Sequence, residues 1–159
     1  MKKGTTGEAS VHVNASPEKV YELVTDVRRM GEWSPECRHC EWLDGATGPT
    51  VGARFKGSNK NGVFRWSTKP RVVTADEGSE FAFVTALGAK DGTKWTYRFE
   101  SDGDGTKVTE SFEMMNDMPG YINFFEKYLM RIKDRRADLV ANMQATLDRI
   151  KAAVEGSAA

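Results

Sequence analysis

One carboxylate in this chain falls where a carboxylate is costly. Alternation along Val108-Thr109-Glu110-Ser111-Phe112 puts Glu110 on the same strand face as two apolar side chains. A charge on such a face costs several kcal/mol unless it is neutralised, paired or hydrogen-bonded. Two residues could partner it. The turn at 102–105 folds the strand back so that Tyr97 falls opposite Glu110 and Trp95 opposite Phe112. Arg136 is the one charge on the apolar stripe of the C-terminal helix. An inward glutamate with these neighbours suits a polar anchor or a general acid/base in an apolar cavity, where its pKa would rise. A structural hydrogen bond, or a salt bridge closing the end of the cavity, is the plainer reading, because buried ion pairs are often structural.

Other chemistries find less support. Cys37-Arg38-His39-Cys40 has the spacing of a redox motif, but such motifs open helices, where the dipole lowers the thiol pKa. Here the motif leads into the strand Cys40-Glu41-Trp42-Leu43, along which positions three apart point to opposite faces. A closed zinc site wants four ligands, and the only histidines are His12 and His39. No metal and no cofactor is expected, and the thiols read as idle groups in a reducing compartment. Neither histidine falls on an inward face, so a Ser–His pair inside a pocket is not expected. No G-x-S-x-G elbow, P-loop or dinucleotide fingerprint is present, and Gly103-Asp104-Gly105 is a turn. Met114, Met115 and Met118 read as an adaptable pocket mouth or as core filler.

The bulk properties bound the reading further. The 159 residues are 39% hydrophobic and 29% charged, an ordinary balance for one globular domain. Twenty-three basic and 23 acidic residues cancel to a net charge of +0, leaving no general basic excess to release counterions from a nucleic acid. No nucleic-acid partner is expected. The first residues lack the apolar stretch of a secretory signal, and no run approaches the ~20 apolar residues of a membrane span. Stable membrane insertion is not expected, and the cytoplasm is the expected location. The sequence carries no signal of oligomeric state.

The elements that must position these residues follow from periodicity. Ala9, Val11 and Val13 share one face of an opening strand. Ser16 is a suitable N-cap and Pro17 a suitable first helical residue for a helix carrying Val20, Leu23, Val24 and Val27. A second short helix or turn carries residues 28–33 and ends at Ser34-Pro35. Period two then holds to about residue 115. Asn61-Gly62, as a type I′ turn, joins a strand with Phe55 and Gly57 to one with Phe64, Trp66 and Thr68. That turn would set Gly57 opposite Trp66 and give the indole room. The turn at 75–78 keeps Val72, Phe81 and Phe83 on one face, followed by Trp95, Tyr97 and Phe99. The aligned aromatic faces predict one continuous sheet. Arg54, Lys56, Arg65, Lys94, Arg98, Lys107, Thr109 and Glu113 form its wet side. Beyond Pro119-Gly120, Ile122, Phe125, Leu129, Ile132, Leu139, Met143, Leu147, Ile150 and Val154 recur in steps of three and four, interrupted by Arg136. They predict a helix over residues 120–155, about 50 Å long, with a bend near its N-terminal third. Residues 1–7 and 156–159 read as flexible tails around a single domain at 8–155.

This order, together with Ala15-Ser16-Pro17-Glu18-Lys19-Val20-Tyr21, Trp33-Ser34-Pro35, Val51-Gly52-Ala53-Arg54-Phe55, Trp95-Thr96-Tyr97-Arg98-Phe99 and Gly105-Thr106-Lys107-Val108-Thr109, resembles the SRPBCC superfamily. These are the START-like and polyketide cyclase/dehydrase proteins with a helix-grip fold. The resemblance implies an α+β domain in which a curved antiparallel sheet of about seven strands wraps a long C-terminal helix. It also implies a cavity between sheet and helix for a lipid, a polyketide or another hydrophobic molecule. On that reading Phe55, Phe64, Trp66, Phe83, Trp95, Tyr97, Glu110, Phe112, Phe125, Leu129, Ile132 and Arg136 surround the ligand. The rival readings are a cyclase or dehydratase with Glu110 as acid/base and Tyr97 or Arg136 orienting a carbonyl, and an interaction module whose cavity has filled in.

Overall fold

In the computed structural model, which describes residues 1–156, eight antiparallel strands and four helices follow one another in the predicted order. Strand β1 (Thr6–Val13) leads to α1 (Pro17–Thr25), a 3₁₀ turn (Val27–Arg29) and α2 (Met30–Trp33). Strands β2 (Cys37–Trp42), β3 (Phe55–Asn61), β4 (Phe64–Thr68), β5 (Arg71–Asp76), β6 (Glu80–Leu87), β7 (Lys90–Asp102) and β8 (Gly105–Met114) come next. The chain closes with α3 (Gly120–Phe124) and α4 (Arg135–Gly156). Helix α1 starts as its sequence dictates: Ser16 Oγ accepts the Lys19 amide at 3.3 Å, and Pro17 occupies the first turn.

The strands do not form the one continuous sheet expected. Five pair in the order β1-β8-β7-β6-β5 and three in the order β2-β3-β4. The two sheets meet at a seam with one bridge, Arg54 to Arg71, flanked by backbone bonds such as Val72 N–H to Ala53 C=O at 2.8 Å. Pro70, between β4 and β5, has no amide to donate, so the ladder is interrupted there and resumes against the chain before β3.

The β7–β8 hairpin has the anticipated register, with Tyr97 opposite Glu110 and Trp95 opposite Phe112. The β3–β4 hairpin does not. Its turn is Gly62-Val63, with Gly62 at φ 59° in the first central position, where a two-residue hairpin loop favours glycine. Gly57 therefore lies opposite Thr68, and Trp66 opposite Asn59. The slip is by two residues, so every side chain keeps its face. On the outer side Thr109 is buried, while the other seven outward positions retain solvent contact.

Two further expectations are corrected. Residues 1–7 are not a loose tail: β1 begins at Thr6, the Gly4 amide donates to the Met114 carbonyl at 2.8 Å, and the Met118 amide donates to Met1 at 2.9 Å. At the other end Gly156 closes α4, and the remainder of the expected tail lies outside the described residues. The predicted 120–155 helix is broken. After α3 comes one π-helical turn, Phe125–Leu129, then an irregular stretch at 130–134 in which Arg131 takes φ 58°. The long helix proper has 22 residues, about 33 Å.

Helix α4 packs chiefly on β1 and also meets α1 and α2. Its buried stripe is Leu139, Met143, Thr146, Leu147, Ile150 and Val154. Gly7 permits the close approach to β1, since a Cβ there would stand 2.7 Å from the Phe112 ring and 2.8 Å from Val140. The core continues through Val20, Val24, Trp33, Phe81 and Val108. Edge-to-face rings join its walls: Phe55 on Phe83 at 5.2 Å and Tyr21 on Phe99 at 5.5 Å. Such pairs contribute ~0.5–1.5 kcal/mol beyond area burial.

Candidate functional site

Sheet and helix do not close completely on one another. Between them lies a cavity of about 220 Å³. Its inner end is formed by the buried side chains of Phe55, Phe83, Tyr97, Glu110, Leu139 and Met143, and its outer end by the half-buried Glu36, Asn59, Trp66, Met118, Glu126 and Arg135.

Glu110 projects from the middle of β8, flanked across the strands by Ala9 on β1 and Tyr97 on β7. It is 5% exposed. Tyr97 Oη donates to Glu110 Oε1 at 2.8 Å, whereas the buried Oε2 has no hydrogen-bond partner. Burial pushes the Glu110 pKa up to about 8, against the opposing pull of the Tyr97 hydrogen bond. The side chain is therefore mostly a neutral acid at pH 7, able to accept from Tyr97 through one oxygen and to donate through the other. Burial, and then the neighbouring Glu110, hold the Tyr97 phenol well above its ordinary value, so it stays a donor.

Arg136 is not the partner. It points outward, its Nε donating to the Thr6 carbonyl at 2.8 Å. Its neighbour Arg135 occupies the cavity mouth, within 2.8 Å of Glu36, 3.3 Å of Glu126 and 2.6 Å of Asp138. The break at 130–134 sets the reason: the stripe of α4 counted back from Leu139 by four reaches Arg135, and the position after it faces β1. Burial opposes the Arg135 charge, but the Glu36 hydrogen bond and the surrounding carboxylates outweigh it and raise its pKa. Burial also raises the Glu126 carboxyl, with Arg135 pulling the other way.

Of the twelve residues expected around the cavity, Phe55, Trp66, Phe83, Trp95, Tyr97 and Glu110 line it. Phe112 lies behind Trp95, ring centroids 5.7 Å apart. Phe64 and Phe125 pack edge-on against each other at 4.8 Å, outside the lining. Leu129, at the end of the π-helical turn, is 53% exposed, and Ile132, in the irregular stretch that follows, is half-buried; both also lie outside the lining.

Sequence reasoning missed Cys37 and Cys40 as lining residues. A bulge at Arg38 inserts one residue between Cys37 and His39 in the β2–β3 ladder and cancels the alternation. Both thiols consequently point inward, with Sγ atoms 3.1 Å apart. Both histidines, in contrast, are exposed.

A curved antiparallel wall, a pair of short helices and a long terminal helix around an apolar cavity define a helix-grip domain. Residues 5–155 match the family described as polyketide cyclase / dehydrase and lipid transport, and the chain belongs to that family. Among solved structures it is similar to the Polyketide_cyc-like protein Cgl2372 from Corynebacterium glutamicum, with 34% identity over 99% of this chain and 96% of that one, at a TM-score of 0.65. The major latex-like protein 151 from Panax ginseng shares the fold at 17% identity, covering 94% of this chain and 98% of that one, TM-score 0.69. So does the di-domain ARO/CYC StfQ from the steffimycin biosynthetic pathway, at 15% identity over 96% of this chain and 51% of that one, TM-score 0.75. No curated protein sequence matches the chain. No helix among the described residues is long and apolar enough to cross a membrane.

Proposed function

We propose that the protein binds a compact hydrophobic molecule carrying one hydroxyl or carbonyl group, with that group hydrogen-bonded to Glu110 Oε2. The observation behind this reading is the half-satisfied carboxyl: Oε2 has no protein partner, and a buried polar atom left unpaired costs ~1–3 kcal/mol, so an oxygen of any molecule that fills the cavity is favoured there. The ring-lined cavity supplies apolar contact on the remaining sides. At about 220 Å³ it lies below the ~300 Å³ at which pockets for drug-sized ligands begin, which favours a one- or two-ring skeleton over a long acyl chain. Cavity space of this kind argues against an interaction module with a filled interior.

A second reading rests on the same residue. A carboxyl with a pKa of about 8 is protonated at neutral pH and can act as a general acid toward a carbonyl, as cyclisation or dehydration of a polyketide-like substrate requires. Native mass spectrometry of protein purified from its own host tests the binding reading, with a small apolar adduct as the expected result and ligand-free protein in repeated preparations as the refuting one. Glu110→Gln then separates the two. A carrier retains the adduct with modest weakening, whereas an enzyme keeps binding its substrate and loses turnover.

A further inference from the structure

The buried thiol pair lines the same cavity, but the proposed binding function does not use its chemistry, and its geometry is specific. We propose that Cys37 and Cys40 form a dithiol site in the cavity wall that takes a small hydroperoxide, reducing it while closing an intramolecular Cys37–Cys40 disulfide.

Three features carry this. The Sγ atoms approach to 3.1 Å, inside ordinary sulfur–sulfur contact and about one ångström beyond the length of a disulfide bond. The β2 bulge is what places both sulfurs on one face; a regular strand would separate them. Finally, both residues line the cavity although each is nearly closed to bulk solvent, Cys37 at 4% and Cys40 at 1% exposure. The cavity is their route to small reagents.

The roles of the two thiols differ. The hydrogen bond shared with Cys40 lowers the Cys37 pKa against burial, which raises it, with the Arg38 charge as a lesser contribution, and the Cys37 thiol also reaches the His39 carbonyl at 3.7 Å as donor. Cys40 is correspondingly raised, and its Sγ is 3.9 Å from Met30 Sδ. Cys37 as thiolate attacks one peroxide oxygen and the O–O bond breaks, giving Cys37 sulfenic acid and hydroxide, which takes up a proton to become water. The Cys40 sulfur then attacks the sulfenic sulfur, the S–O bond breaks, and a second water leaves with the Cys40 proton. Two thiols are oxidised and one hydrogen peroxide is reduced to two waters.

The test uses the reduced full chain and hydrogen peroxide. Because the protein has only these two cysteines, every thiol lost is one of them. One equivalent of peroxide should remove both alkylatable thiols, lower the intact mass by two hydrogens and yield a Cys37–Cys40 linked peptide. The loss should run at least ~10-fold faster than in the same chain unfolded in urea, because the contact with Cys40 lowers the Cys37 pKa and holds the second sulfur in reach. In Cys40→Ser the reaction should stop at a Cys37 sulfenic acid trapped by dimedone, and Cys37→Ser should give no adduct. Thiols that survive peroxide, a rate no faster than in urea, or disulfides between chains in place of within them would overturn the proposal. The wild-type peptide map and rate decide it even if a serine variant fails to fold.

Discussion

Replacing Glu110 with glutamine should stabilise the protein in alkali and leave it nearly unchanged in acid. The folded state holds the Glu110 proton up to a pH of about 8, whereas an ordinary glutamate releases it near 4.5. Between those values the native chain binds more protons than the unfolded one, so wild-type stability falls as pH rises through the window. Each pH unit is worth about 1.4 kcal/mol, so crossing the whole window costs at most about 5 kcal/mol. That is a large part of the ~5–15 kcal/mol that keeps a domain folded. Glutamine keeps an acceptor for Tyr97 and carries no proton to lose, so its stability lacks this component. The assay is urea unfolding of both proteins at pH 5, 6, 7, 8 and 9, taking the difference at each pH so that every other titrating group cancels. The gap should be small at pH 5 and should widen in favour of glutamine up to pH 8, then level off. A gap that stays constant across the series would show that Glu110 ionises normally, and with it the case for a protonated anchor would fail.

Two other substitutions probe how the cavity is enclosed. Arg135→Met should destabilise by ~2–3 kcal/mol, less than a fully buried pair because the cluster keeps some solvent contact, and should speed amide exchange over residues 120–134; Arg136→Met should do neither. Gly7→Ala should lower stability by ~1–3 kcal/mol in chemical denaturation, because its methyl group meets Phe112 and Val140 at the β1–α4 contact.

Much of the architecture is written in periodicity. Alternation placed Glu110 inward, and the short turn at 102–105 fixed Tyr97 opposite it, because a tight hairpin leaves few registers open. Ser16-Pro17 marked a helix start through local hydrogen-bonding chemistry alone. Features that depend on the backbone rather than on side-chain spacing were not legible. Leu129 and Ile132 keep the helical period across a segment where the helix is broken, so the count ran through the break and selected Arg136 over Arg135. Nothing in Arg38 announces a bulge, and without it Cys37 and Cys40 belong on opposite faces. Pro70 did carry a signal, since a residue with no amide cannot extend a ladder, and the seam between the sheets follows from it.

The β3–β4 tip has a practical use. Val63 at its apex is 85% exposed and makes no part of the cavity, while Trp66, three residues on, does. Lengthening the tip by an even number of residues would carry a graft or label outward on the same two strands and leave the indole inside. An odd number would leave one inserted residue unpaired, to be taken up as a bulge or a longer loop at the tip. Reporter groups for this domain therefore belong at Val63, added in pairs.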